Sequence, residues 1–269
     1  MSTLTEPRIH PSSVIHSTAD IDPDVQIGPF CVVGENVSIR SGTVLHAGAH
    51  ILQNTKIGRN CQVFSGAVIG GPPQDHKFKN ERSYVEIGDD NILREYVTIH
   101  RATGADKITK IGSGNMVMAY AHIAHNCEIG NRVTIASYVG ISGHVTVEDG
   151  VNFGGSSGIH QYCRIGTLAM VGGMSGINKD VPPYMTVSGL PAQVIDVNVR
   201  ALRRAGVMAK VRQEIRAAYK LLFRSNLNQS QALQAIEEEI EPSPELEHLL
   251  NFLRNSREGS NGRGNAAPS

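Results

Sequence analysis

The sequence predicts a mainly β protein: a parallel β-helix of six-residue repeats followed by a C-terminal α-helical domain. Three observations carry this reading. An apolar residue returns at every sixth position, the series is interrupted without losing phase, and it stops after Ile177, where helical spacing takes over. A six-residue period with a turn in each unit does not fit an α-helix. It fits short strands joined by turns, three hexapeptides to a coil. Residues 18 apart then lie one above another, on coils stacked ~4.8 Å apart. The repeat alone does not set the hand of the coil; the general rule for parallel crossovers favours a right-handed one.

The series runs from Ile9 to Ile177, and 26 of its 29 positions carry a large apolar residue; only 75, 81 and 105 do not. Glycine often follows the apolar residue, as at Gly28, Gly88, Gly130 and Gly166, where tight turns are needed. Residues 70–86 (GGPPQDHKFKNERSYVE) replace two hexapeptides and residues 100–110 (HRATGADKITK) replace one. Both keep the phase, so both read as loops thrown outward from an intact coil, where functional residues concentrate.

After Ile177, PPYMTVSGLPAQ reads as a linker, and helical patterning starts near Asp196. The expected division is a β-helix over 1–190, a helical domain over 191–255 and a disordered tail over 256–269. Ser243 and Pro244 have the chemistry of a helix cap and first-turn residue. Residues 200–224 hold eight Lys or Arg against one acid, Glu214, which suits an acidic partner.

The chain has 269 residues and a formal net charge of zero, so nothing in its overall charge favours nucleic acid or membranes. It lacks an apolar run approaching the ~20 residues of a membrane span. MSTLTEPRIHPSS lacks the layout of a signal peptide, so a cytoplasmic location is expected. Cys31, Cys61, Cys127 and Cys163 form no CxxC pair; all fall in one slot, two residues before an apolar position, and read as core filler.

Against this frame AYAHIAHNCEIG, residues 119–130, places His122 just before Ile123 and His125 two residues beyond it, both facing away from the core. His76, His100, His144 and His160 also occupy outward slots or loops. Stacking puts His125 in a column with Gly143 and Gln161. A histidine base one coil from a glycine N–H able to receive an oxyanion is what acyl transfer to a hydroxyl requires. A second column, Ser137, Gly155 and Gly173, would leave a groove along the prism, or would simply be turn residues. Flat-sided prisms pack into rings, which makes a pocket between subunits natural.

The hexapeptides together with AHIAHNCEIG, SGHV, IHQYCRIG, VGGMSG, DVPPY and the basic C-terminal helices resemble the UDP-N-acetylglucosamine O-acyltransferase family of lipid A synthesis, over about residues 9–255. The resemblance implies a left-handed parallel β-helix, against the general rule, and a homotrimer with sites between subunits. It implies transfer of an (R)-3-hydroxyacyl group from acyl carrier protein to the 3-hydroxyl of UDP-N-acetylglucosamine, with no cofactor or metal. His125 would be the general base and the Gly143 amide the oxyanion donor. Asp75, Lys77, His122, His144, His160, Gln161, Asn198 and Arg204 would bind substrate, while Gly155 and Gly173 would set acyl length. The acyl carrier protein, being acidic, is the partner that the basic stretch awaits.

This sequence departs from the family pattern in Asn126, where Asp is common, and in Arg200 and Ala205 near the nucleotide positions. Acyl length is left open, as is an acceptor bearing a 3-amino group. Two readings of other kinds also stay open. One is a zinc enzyme of the β-helix carbonic anhydrase type using His100, His122 and His125. The other is a non-catalytic trimeric scaffold. A related N-acyltransferase usually carries an extra N-terminal domain, and here the repeat begins at residue 9.

Overall fold

A computed structural model of the chain describes residues 8–258 and Arg263. The hexapeptides form a left-handed parallel β-helix with three faces. The first face has nine strands, from Val14–Ile15 to Gly176–Ile177. The second has eight, from Asp20–Ile21 to Arg164–Ile165, and the third has ten, starting at Gln26–Ile27. Most strands are two residues long, too short to build up the twist that normally imposes right-handed crossovers. Most corners of the coil turn through residues of positive φ, such as Asn126, His144 and Tyr162 at 58°, 61° and 66°. Asparagine suits such a corner because its short polar side chain tolerates the left-handed region.

The sixfold apolar series is the core. Ile99, Ile123, Ile141 and Ile159 pair in register up the first face, and all are buried. The four cysteines are fully buried within the same stack. Ile9, Ile15 and Ile21, in the first described coil, are not fully buried because among the described residues no coil lies beneath them. Both interruptions leave the coil intact: Val68 pairs with Thr98 across the first, and Thr98 with His122 across the second.

The expected linker is instead a hairpin. Met185–Gly189 pairs in parallel with Met170–Val171 and antiparallel with Ala192–Val197, extending the third face. The alternation Met185, Thr186, Val187 buries its apolar members in the manner of a strand, and Gly189 (φ 111°) begins the turn. Four helices follow: α1 (Val199–Arg204), α2 (Ala209–Phe223), α3 (Gln229–Glu239) and α4 (Pro244–Glu258). They share a second core of Leu202, Ile215, Ile236, Leu249 and Leu253, packed against Tyr184 and Met185. Gly206 (φ 78°) interrupts what the sequence presents as one helical run, and Asn228 with Gln231 forms a capping box on α3. Helix α4 starts at Pro244 as expected, but the Ser243 hydroxyl is buried with no partner among the described residues. Helix α4 extends to Glu258, into the stretch expected to be disordered; beyond it the tail, apart from Arg263, lies outside the described residues.

Candidate active site

The corner between the first and second faces carries His125, Gly143 and Gln161 one above another, and the His144 N–H donates to the His125 carbonyl at 3.1 Å. The imidazole of His125 lies directly over Gly143. A Cβ built there would sit 2.6 Å from the ring Cε1 and 2.7 Å from Nε2. Position 143 therefore has no room for a side chain while His125 holds this pose. The Gly143 N–H has no acceptor among the described residues and borders the open groove.

The orientation of His125 is set from below. Its Nδ1 lies 2.8 Å from Asn126 Oδ1. The amide cannot be flipped without loss, because Thr103 N–H donates to Oδ1 at 2.9 Å while Asn126 Nδ2 donates to the Thr103 carbonyl at 3.0 Å. Oδ1 only accepts, so Nδ1 carries the proton and Nε2 presents its lone pair. Nε2 is 4.0 Å from Asp75 Oδ2, contributed by the first loop. The Asp75 carboxyl is held below the usual carboxylate range, first by the Lys77 backbone N–H, 3.0 Å from Oδ1.

Three other histidines flank His125. His144 meets it edge to face at 5.2 Å and stacks on Tyr162. The His122 Nδ1 bonds the Thr98 hydroxyl at 2.8 Å, and its ring abuts His100 at 5.0 Å. Burial is the main cause that lowers the pKa of all three, taking His100 down to about 4, with the His125 charge contributing to each.

A groove of about 880 Å³ runs from this cluster up the first face. Its floor is Gly140, Gly158 and Gly176, in register above His122. A Cβ at Gly140 or Gly158 would meet nothing within 4 Å, whereas one at Gly176 would strike Leu190. The groove thus has a bare floor and a stop at Leu190 and Pro191. Its sequence signal is glycine immediately before the core residue in three successive coils, and Gln74 and Asn178, outside the expected site, also line it.

Of the expected site residues, the chain brings together Asp75, His122, His125, Gly143, His144, His160 and Gln161. His160, on the groove wall, has Nδ1 3.0 Å from Arg263 Nη1. Lys77 lies in the same loop, but its residue is exposed. Gly155 and Gly173 are on a different edge, between the third and first faces, and do not line the groove. Asn198 is elsewhere again: it caps α1 and donates to the Leu168 carbonyl at 2.8 Å on the corner between the second and third faces. Arg204 ends α1, exposed. Among the described residues no three His, Cys, Asp or Glu side chains are arranged to hold a metal ion, so His100, His122 and His125 do not form a zinc site within one chain.

A β-helix of hexapeptides bearing a histidine over a free glycine amide defines a hexapeptide transferase, and the bacterial transferase hexapeptide family matches residues 108–143. The family described as Udp N-acetylglucosamine O-acyltransferase; Domain 2 matches residues 180–262. The acyl-[acyl-carrier-protein]--UDP-N-acetylglucosamine O-acyltransferase of Thermodesulfovibrio yellowstonii is 45% identical over 93% of this chain and 98% of its own length. That of Gloeothece citriformis is 47% identical over 78% of this chain and 76% of its own length. The crystal structure of the Moraxella catarrhalis UDP-N-acetylglucosamine O-acyltransferase superposes with a TM-score of 0.89 at 39% identity, covering 96% of this chain and 99% of that one. The chain belongs to the acyl-[acyl-carrier-protein]--UDP-N-acetylglucosamine O-acyltransferase family. No helix among the described residues is long and apolar enough to cross a membrane.

Proposed function

We propose that this protein transfers an (R)-3-hydroxyacyl group from acyl carrier protein to the 3-hydroxyl of UDP-N-acetylglucosamine, in the cytoplasm, as the first step of lipid A synthesis. The observation that carries the mechanism is the pairing of an oriented His125 lone pair with the free Gly143 amide. Nε2 of His125 takes the proton of the sugar hydroxyl as its oxygen attacks the thioester carbonyl carbon. The carbonyl oxygen becomes an oxyanion that the Gly143 N–H receives. The C–S bond then breaks, and the departing thiolate takes the proton from the imidazolium, leaving ester and free carrier thiol. Because burial disfavours charge on His100, His122 and His144, they remain neutral donors or acceptors near neutral pH. Asp75 offsets the charge on His125 while it holds the proton.

The glycine-floored groove supports the acyl reading: with no side chain at Gly140 or Gly158 it leaves a channel open to a chain, ending at Leu190 and Pro191. Arg200, Arg203, Arg204 and Lys220 are exposed with no ion pair among the described residues, which suits an acidic carrier protein and nucleotide phosphates. Gly155, Gly173, Asn198 and Arg204 occupy edges remote from the His125 corner, so we assign them to the site of a neighbouring chain in a homotrimer.

The test compares wild type with His125→Ala in transfer from acyl carrier protein, offering UDP-N-acetylglucosamine and its 3-amino analogue as acceptors. Transfer by wild type with a fall of at least ~100-fold in the variant is expected. Transfer that survives removes His125 as the base; no transfer to either acceptor overturns the activity.

A further inference from the structure

The second loop opens with a charge that nothing in the reaction above uses. Arg101 is 7% exposed, and its Nε is buried without an acceptor among the described residues. Burial pushes its pKa down, and the Glu81 charge pulls it back up. An apolar side chain of similar volume would avoid that desolvation cost, so filling space does not explain a guanidinium here.

What the guanidinium touches is Phe78: its Cζ lies 5.4 Å from the ring centroid, within cation–π range. Phe78 closes the turn that begins at Asp75, donating its N–H to the Asp75 carbonyl at 3.0 Å, while the Lys77 N–H holds the Asp75 carboxylate. The backbone N–H of Arg101 donates to the Gly71 carbonyl at 3.0 Å, at the root of the same loop. Farther along that loop, Glu81 Oε1 accepts the Gly104 N–H at 2.6 Å, tying the first loop to the second. The cation thus sits beneath a loop fixed at both sides of the turn that aims Asp75 at His125.

We propose that Arg101 is a positioning residue for acyl transfer: its guanidinium, packed under Phe78, holds the Asp75 turn in place against His125. This rests on the transfer reading, because Arg101 acts through Asp75. The charge matters because a cation both attracts the ring face and stays within reach of Glu81.

The test uses Arg101→Met, Arg101→Lys and Asp75→Asn, singly and combined, in the full-length protein. Arg101→Met is expected to melt at or above the wild-type temperature while kcat falls about tenfold, as misplacement of a group at the chemistry would produce. Arg101→Lys, which keeps a cation under the ring, retains most of the rate. In the Asp75→Asn background, Arg101→Met costs nothing further, because its effect is already lost. Phe78→Leu, which removes only the ring, serves as the second variant and reproduces the kcat loss. An independent readout needs no turnover: carboxyl-carbon NMR titration of Asp75 moves up toward the ordinary aspartate value in Arg101→Met, as the Lys77 N–H slips away. That signal separates failure of this proposal from failure of the assigned activity. Parallel losses of melting temperature and rate, multiplicative losses in the double variant, or an unmoved Asp75 titration would overturn it.

Discussion

At the scale of single residues, the site depends on Asn126 and Gly143 more than their ordinary chemistry suggests. Asn126 stands where a carboxylate is common in the family, yet Thr103 fixes its amide so that the oxygen still faces His125 Nδ1. Tautomer control therefore survives the loss of charge. Asn126→Ala is expected to lower kcat by ~10-fold or more by releasing the tautomer, whereas Asn126→Asp keeps or raises it; steady-state kinetics on both variants decides. Gly143→Ala is a sharper case, since the new methyl group would lie 2.6 Å from the His125 ring. The ring must swing away, and a displaced base costs ~10² in rate. The fold is expected to persist, shown by an unchanged circular dichroism spectrum beside the lost activity.

Among elements, under the proposed transfer the first face would limit acyl length, and the C-terminal helices are attached through a pH-dependent contact. Gly140 and Gly158 have negative φ and open space above them, so a larger residue is tolerated by the coil but fills the groove. Gly158→Leu is expected to cut kcat/KM for long-chain donors relative to short ones by about tenfold or more, read by competing carrier-bound acyl groups. The cap is held to the β-helix by His248 of α4, whose Nε2 lies 2.8 Å from Glu148 Oε2. The Glu148 hydrogen bond raises the His248 pKa above its ordinary 6.5 despite burial. Burial alone would raise Glu148, but bonds from His248 and Thr167 override it and hold the carboxyl below 4.5. The histidine contribution is complete below pH 6.5 and fades as pH rises through the raised value; the glutamate contribution is complete above pH 4.5 and fades as pH falls through the lowered one. The attachment is therefore strongest between about pH 4.5 and 6.5. Calorimetry across pH 6 to 8 should show wild type losing melting temperature relative to His248→Gln, and parallel curves would refute the attachment.

The same elements show what a sequence can and cannot disclose. The core ladder, the outward histidines and the His125–Gly143 column were legible because a fixed period converts sequence position directly into height and face. The Met185–Val197 hairpin was not, since it lies beyond the period and its Gly and Pro signals mimic a linker. Nor were the links from Asn126 to Thr103 and from Phe78 to Arg101, which join loops whose paths no repeat constrains.

For the whole molecule, a single chain leaves an apolar edge exposed, and the proposed homotrimer would cover it. Along the edge between the third and first faces, Tyr96, Tyr120 and Tyr138 stack at 5.0 and 5.1 Å, about half exposed, with Phe30 and Met174 in the same column. A contiguous exposed aromatic ridge of this kind marks a contact surface. Gly155 and Gly173 lie beside it, while His125 belongs to a different corner, so a ring of three prisms would bring the ridge of one copy to the catalytic face of the next. Tyr120→Lys, placing an unpaired cation in that contact, is expected to weaken association by about 2 kcal/mol or more, seen by sedimentation equilibrium as smaller species with lower activity. A sharper consequence follows for mixed assemblies. If the site takes its base from one chain and Arg204 from another, His125→Ala and Arg204→Ala are each weak alone. When the two are refolded together, about a quarter of the interfaces in random trimers pair an intact His125 with an intact Arg204. Activity should then rise well above the sum of the two variants. A site completed within one chain would gain nothing from mixing, because neither chain carries both residues.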